Sequence, residues 1–271
     1  MTLPEVENLL LKLERGVLEV TLNRPESRNA MSLAMVADLN AVFDAIVDER
    51  AIRVVILRGA GGHFCAGADL KQMMAGGMKP PAPGEIDPIV RFSRSFGSLL
   101  RKVTKIPAVV IAICEGAVLG GGFGFACVSD IAFAHVDAKF GLPETTRGLP
   151  PAQIAPFVVE RIGLMQARKL CLTGAQFRGA EAQRLGIVHE AFTSEEELQG
   201  KLAETLQQIL NCAPNANAVT KEIILNVAHQ DMEFVLDDAA RKFAACVRGS
   251  EAPEGITAFM QKRAPKWASG E

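Results

Sequence analysis

Residues 108–134 read AVVIAICEGAVLGGGFGFACVSDIAFA, and this stretch decides the architecture. Ala108–Ile113 is an apolar run rich in β-branched residues and too short for a helix, so it reads as a buried strand. Gly120–Gly122 then opens an apolar helix, and Asp130–Ala134 reads as the next strand. Strand, helix and strand in so short a span is the rhythm of an α/β protein. Working outward, Arg53–Leu57 (RVVIL) is another buried strand, while Val17–Leu22 (VLEVTL) alternates as a half-buried strand does. Asn23–Ser32 is turn-like, and Ser32 is placed to cap a helix with a buried stripe of Val36, Leu39, Phe43, Ile46 and Val47. Residues 73–90, dense in glycine and proline, read as a loop over a pocket. After about residue 190 the strand signals stop. Glu195–Leu210, Asp231–Val247 and, more briefly, Thr257–Lys262 have helical periodicity. A mixed body over residues 1–200 is therefore expected to precede a helical region over 201–271.

Composition narrows the functional classes. Of 271 residues, 49% are hydrophobic and 22% charged, the profile of a folded globular chain rather than a disordered one. A net charge of −2 gives no bulk attraction to nucleic acid or a membrane surface. Arg101, Lys102 and Lys105 form a short basic cluster without interleaved aromatics, which reads as a solvated helix end. The six cysteines are scattered without a CxxC pair, and the four histidines lack metal-ligand spacing, so no metal is expected. With no signal-like start and no long apolar run, the expected location is the cytoplasm.

Three segments carry the chemistry. Phe64–Leu70 (FCAGADL) and Val118–Phe125 (VLGGGFGF) both put small residues where a loop or strand meets a helix. Small residues let a ligand approach the main chain, and a helix start offers unpaired N–H groups. Two such turns facing each other would make a two-donor hole for an oxyanion. One alone reads as a close-packing turn. The third segment, Phe140–Arg147 (FGLPETTR), places Glu144 on a loop before an apolar helix over Gln153–Ile162. Facing an apolar pocket, Glu144 would exchange protons near neutral pH. Spacing alone favours a helix cap or an ion pair with Arg147. Asp69 and Asp130 read as capping and structural acids, and Cys65 has no histidine in a context that marks a base.

The ordered set LNRPESRNAMS (22–32), FCAGADL (64–70), EGAVLGGG (115–122) and FGLPET (140–145), with the tail GITAFMQKRAPKW (255–267), resembles the enoyl-CoA hydratase/isomerase, or crotonase, family. Residues 118–130 and 141–163 look most like its isohexenylglutaconyl-CoA hydratase branch. The resemblance implies a spiral of repeated ββα units, a helical trimerisation region, and trimers or hexamers. It implies an acyl-CoA thioester as substrate, coenzyme A being part of the substrate and no separate cofactor being needed.

Residue by residue, the resemblance assigns the Ala68 and Gly121 amides to the oxyanion hole and Glu144 to proton transfer. Ala66, Asp69, Leu70 and Lys71 line the coenzyme A path, with Arg28 near the phosphates. Phe259 and Lys262 reach a neighbouring subunit's nucleotide. The family pattern GGGxE places a first glutamate where this chain has Gly124. Its loss points either to a single-carboxylate double-bond isomerase or to a hydratase whose branched substrate uses the room beside Gly124. In the hydratase, Arg147 is a candidate for a second substrate carboxylate, beside its reading as a structural ion pair. A different class, a non-catalytic coenzyme A- or RNA-binding relative, is the remaining alternative.

Overall fold

The computed structural model describes residues 2–69, 71, 81, 82 and 84–269. Strands β1 (Leu9–Glu14) and β2 (Val17–Leu22) form an antiparallel hairpin, and β2 buries Leu18, Val20 and Leu22. β3 (Val54–Gly59), β4 (Val109–Cys114), β6 (Ile131–His135) and β9 (Glu190–Phe192) add in parallel, giving the order β1-β2-β3-β4-β6-β9. A smaller sheet holds β5 (Ala117–Leu119), β7 (Lys139–Gly141) and β8 (Gln176–Arg178) in that order. Isolated parallel bridges, Met31 to Ala68 and Cys65 to Val118, extend this second stack. The chain thus crosses to the second stack at Met31 after β2, at Cys65 and Ala68 after β3, at Val118 after β4 and at Phe140 after β6. Each circuit lies beside the one before it, which is the expected spiral.

Helix α1 (Leu33–Ile46) starts where Ser32 Oγ accepts the Met35 N–H at 3.0 Å, as its spacing predicts. Its buried face is Met35, Val36, Leu39, Val42, Phe43 and Ile46; Val47 closes the helix and turns outward. Helix α2 (Pro88–Lys105) begins inside the stretch expected to be a loop. Asp87 accepts the Ile89 N–H at 2.7 Å, and Pro88 sits in the first turn, where its missing N–H costs nothing. The proline density that suggested a loop therefore includes a helix start. Lys102, of the basic cluster, is held by Asp44 at 2.5 Å and Asn40 at 2.9 Å. Helix α3 (Gly121–Val128) is buried on every side, as its apolar sequence requires. Helix α4 (Ala155–Thr173) starts two residues later than expected, leaving Gln153 in the preceding loop.

Beyond α5 (Gly179–Arg184), α6 (Glu195–Asn211) lays Leu198, Leu202 and Ile209 against Val54, Ile56, Ile111, Ile113 and Phe133. Both faces of the large sheet are covered, which is why Val54–Leu57 of β3 and all of β4 are apolar without alternation. The boundary at residue 200 falls inside α6, since that helix closes the sheet core. Helices α7 (Pro214–Asn226), α8 (Met232–Arg248), α9 (Glu251–Met260) and α10 (Lys266–Ser269) follow. α9 starts six residues before the expected Thr257, because Pro253 lies in its first turn and does not break it. Arg53, at the foot of β3, donates to the carbonyls of Ile209 and Trp267 and so ties the tail to the core. Asp130 accepts from the Val110 amide at 2.7 Å and Lys221 at 2.6 Å, the structural role expected of it. Among the described residues, no helix is long and apolar enough to cross a membrane.

Candidate active site

A cavity of about 310 Å³ opens between α1, α2, the loop after β3, the start of α3 and residues 143–154. Its lining is mainly apolar, including Met31, Val36, Phe92, Phe96 and Ile154. Ala66, Gly67 and Ala68 line it from one loop, Gly120 and Gly121 from another, and Glu144 from a third.

The two main-chain donors arise from local geometry. Met31 bonds both flanking peptides of the first loop, its N–H to Gly67 O at 2.8 Å and its carbonyl from Asp69 N at 3.0 Å. In such a parallel bridge the middle residue, Ala68, directs its own N–H away from Met31. Gly121 is the first residue of α3, where no carbonyl one turn back exists to receive its N–H. Neighbouring amides are taken: Cys65 N by Ala117 O, Ala66 N by Arg28 O, and Gly120 N by Gly141 O. The Ala68 and Gly121 amides have no acceptor among the described residues.

Gly67 (φ +97°) and Gly120 (φ +50°) let these loops touch. A Cβ built on Gly120 would lie 3.2 Å from Gly67 Cα and 2.7 Å from Glu144 Oε1. The glutamate carboxyl therefore lies against the meeting point of the two loops. Its Oε2 is buried without a hydrogen-bond partner among the described residues. Burial pushes the Glu144 carboxyl above the ordinary carboxylate range, with its own main-chain N–H and the Arg147 charge opposing. Glu144 is neither a solvated cap nor a closed ion pair. Cys65 beside the loop is buried and pushed up to about 12, a thiol held protonated.

Asn29, unassigned by the sequence reading, holds the first loop in place. It is fully buried at φ +57°, accepts the Arg24 N–H at 2.8 Å and donates to Ala60 O at 2.9 Å and His63 O at 2.6 Å. Its location within LNRPESRNAMS, a turn-like stretch, was the available signal, because asparagine tolerates left-handed φ and bonds locally. Asn29→Ala is expected to lower stability by about 3 kcal/mol, since three bonds go and two carbonyls and an N–H lose their partner. Thermal melting of the variant measures this.

The other expected contacts lie as follows. Asp69 pairs with Arg24 at 3.1 Å, with both side chains largely buried, so a structural ion pair accounts for it. Arg28 and Lys71 are exposed near the cavity loop, and Leu70 lies outside the described residues. Phe259 is 85% exposed at the end of α9, and Lys262 is exposed in a left-handed turn just after it. Gly124 does not open into the cavity. It is buried, and a Cβ there would meet Leu100 Cδ1 at 3.2 Å and Ile154 at 3.5 Å. The room expected for a substrate branch beside Gly124 is filled by these two aliphatic side chains, which replace the missing carboxylate by packing.

A family model described as enoyl-CoA hydratase/isomerase matches residues 12–270. The chain belongs to this family. Among solved structures, AtuE of Pseudomonas aeruginosa is 54% identical with a TM-score of 0.92, covering 97% of this chain and 100% of that one. A mevalonyl-coenzyme A hydratase of Aspergillus fumigatus is 32% identical over 263 residues, 93% of this chain and 91% of that protein. A Bos taurus protein named mitochondrial enoyl-CoA hydratase domain-containing protein 2 is 33% identical over 258 residues, 93% and 84% of the two lengths. Membership of the enoyl-CoA hydratase/isomerase family makes the protein an enzyme of acyl-CoA thioesters, and the spiral is that family's fold.

Proposed function

We propose that the protein adds water across the 2,3-double bond of a 2-enoyl-CoA whose chain is branched and carries a carboxylate, the glutaconyl type. One observation carries the reading: a half-buried Glu144, whose buried Oε2 lacks a hydrogen-bond partner among the described residues, lies against the junction of two loops whose Ala68 and Gly121 amides lack acceptors among them. The amides hold the thioester oxygen. Water attacks the 3-carbon and loses a proton to Glu144, while the electron pair of the double bond moves onto the thioester oxygen as an enolate. Glu144 then returns the proton to the 2-carbon. The amides act on charge that exists only during this step, which is where preorganised donors are most effective. Arg147, also in the lining, meets the second carboxylate of the substrate.

Ala66, Lys71 and Arg28 follow the coenzyme A moiety. Exposed Phe243, Phe259 and Met260 on the last helices suit a trimer interface, from which Phe259 and Lys262 reach the nucleotide of the next subunit. The scattered free cysteines fit a reducing compartment, here the cytoplasm.

A second reading, a double-bond isomerase, is favoured by one observation: Glu144 is the one carboxylate lining the cavity among the described residues. Absorbance of the conjugated enoyl-thioester band separates the two. A fall on adding the branched 2-enoyl-CoA supports hydration. A rise with a 3-enoyl-CoA, and no fall with the 2-enoyl-CoA, replaces hydration by isomerisation.

A further inference from the structure

The cavity contains two polar side chains that the mechanism above leaves unused. Gln153 lies in the loop before α4, and its side chain rests on α2 where Gly97 has none: a Cβ on Gly97 would come within 2.0 Å of Gln153 Oε1. A helical Cβ leans toward the helix N-terminus, so this spot lies on the Ser93 side of Gly97. Ser93 is one turn earlier on the same stripe of α2, and both Ser93 and Gln153 line the cavity. Neither side chain has a hydrogen-bond partner among the described residues. Around them the wall is apolar, with Phe92, Phe96 and Ile154 as neighbours in the lining.

We propose that Ser93 and Gln153 form a polar subsite that binds a carboxylate carried by the acyl chain. This inference rests on the hydratase reading and deepens it. An apolar chain in this cavity would strip water from a hydroxyl and a carboxamide and return nothing, whereas a carboxylate accepts from the Ser93 O–H and the Gln153 Nε2–H. A site built to hydrogen-bond its substrate rejects the analogue lacking that group far better than an apolar pocket rejects an extra methylene. Arg147, in the same lining, supplies the opposite charge that a buried carboxylate requires. Gly97 acquires a purpose as well: glycine inside a helix is unfavourable, and here it makes room for the carboxamide.

The test compares 3-methylglutaconyl-CoA with 3-methylpent-2-enoyl-CoA, which differ by a carboxylate in place of a methyl group. The wild-type protein is expected to prefer the carboxylate by at least tenfold in kcat/KM. In Ser93→Ala/Gln153→Leu that preference falls by about 10- to 100-fold. Gly97→Ala, which displaces the carboxamide without removing it, moves the ratio the same way. Equal losses on both substrates, or an unchanged ratio, overturn the subsite. A wild-type protein that hydrates both substrates equally also overturns it while leaving the hydratase reading standing; one that hydrates neither removes that reading and the subsite with it.

Discussion

Glu144→Gln is expected to lower kcat for hydration by about 10³-fold with little change in KM, because general acid–base groups contribute roughly 10²–10⁴. The amide keeps the shape of the carboxyl against Gly120 but cannot take the proton from water. Steady-state kinetics decide it: a variant turning over near the wild-type rate takes Glu144 out of the mechanism. The wild-type pH profile belongs to the same prediction. Burial holds the carboxyl above its ordinary range, so the acidic limb of kcat/KM falls at a pH above that of a free glutamate. Stability has a definite sign. A carboxyl whose folded value is raised favours the fold while protonated, and that contribution is lost as pH rises through the raised value. Glutamine carries no such slope. The variant should therefore match or exceed the wild-type melting temperature at neutral pH while remaining inactive, which separates catalytic loss from misfolding.

Gly120→Ala is the second large effect. The backbone at φ +50°, ψ −113° is one that residues with a Cβ rarely adopt, and strain of this kind costs about 1–3 kcal/mol. The new methyl would lie 2.7 Å from Glu144 Oε1 and 3.2 Å from Gly67 Cα, so it displaces the base and parts the two donor loops together. Loss of one donor alone typically removes about 10²–10³ in kcat. A combined loss beyond 10³-fold, with a lowered melting temperature, is the expected result. Turnover within tenfold of wild type would mean that the junction of these loops does not hold the reacting group.

The candidate site was legible chiefly through the ordered motifs that carry the family resemblance. FCAGADL and VLGGGFGF suggest main-chain donors by their small residues, the resemblance singles out Ala68 and Gly121, and these two amides have no acceptor among the described residues. Ser32 capped the helix its spacing predicted. Helix α2 was hidden, since Asp87 and Pro88 start a helix with the same residues that otherwise make a loop. Gly124 misled for a different reason. A missing side chain in the sequence suggests empty space, but close packing lets Leu100 and Ile154 from two other elements fill it.

By itself, the amino-acid order determined the α/β alternation and the two small-residue turns, because strand and helix periods and φ preferences act over a few residues, while Glu144 became the candidate acid only through the family resemblance. Tertiary structure alone decided that Glu144 Oε2 is buried without a partner among the described residues, that Asn29 holds the first loop, and that Gln153 settles over Gly97. These facts depend on contacts between segments far apart in the chain, and no local pattern encodes which distant side chain will occupy a given volume.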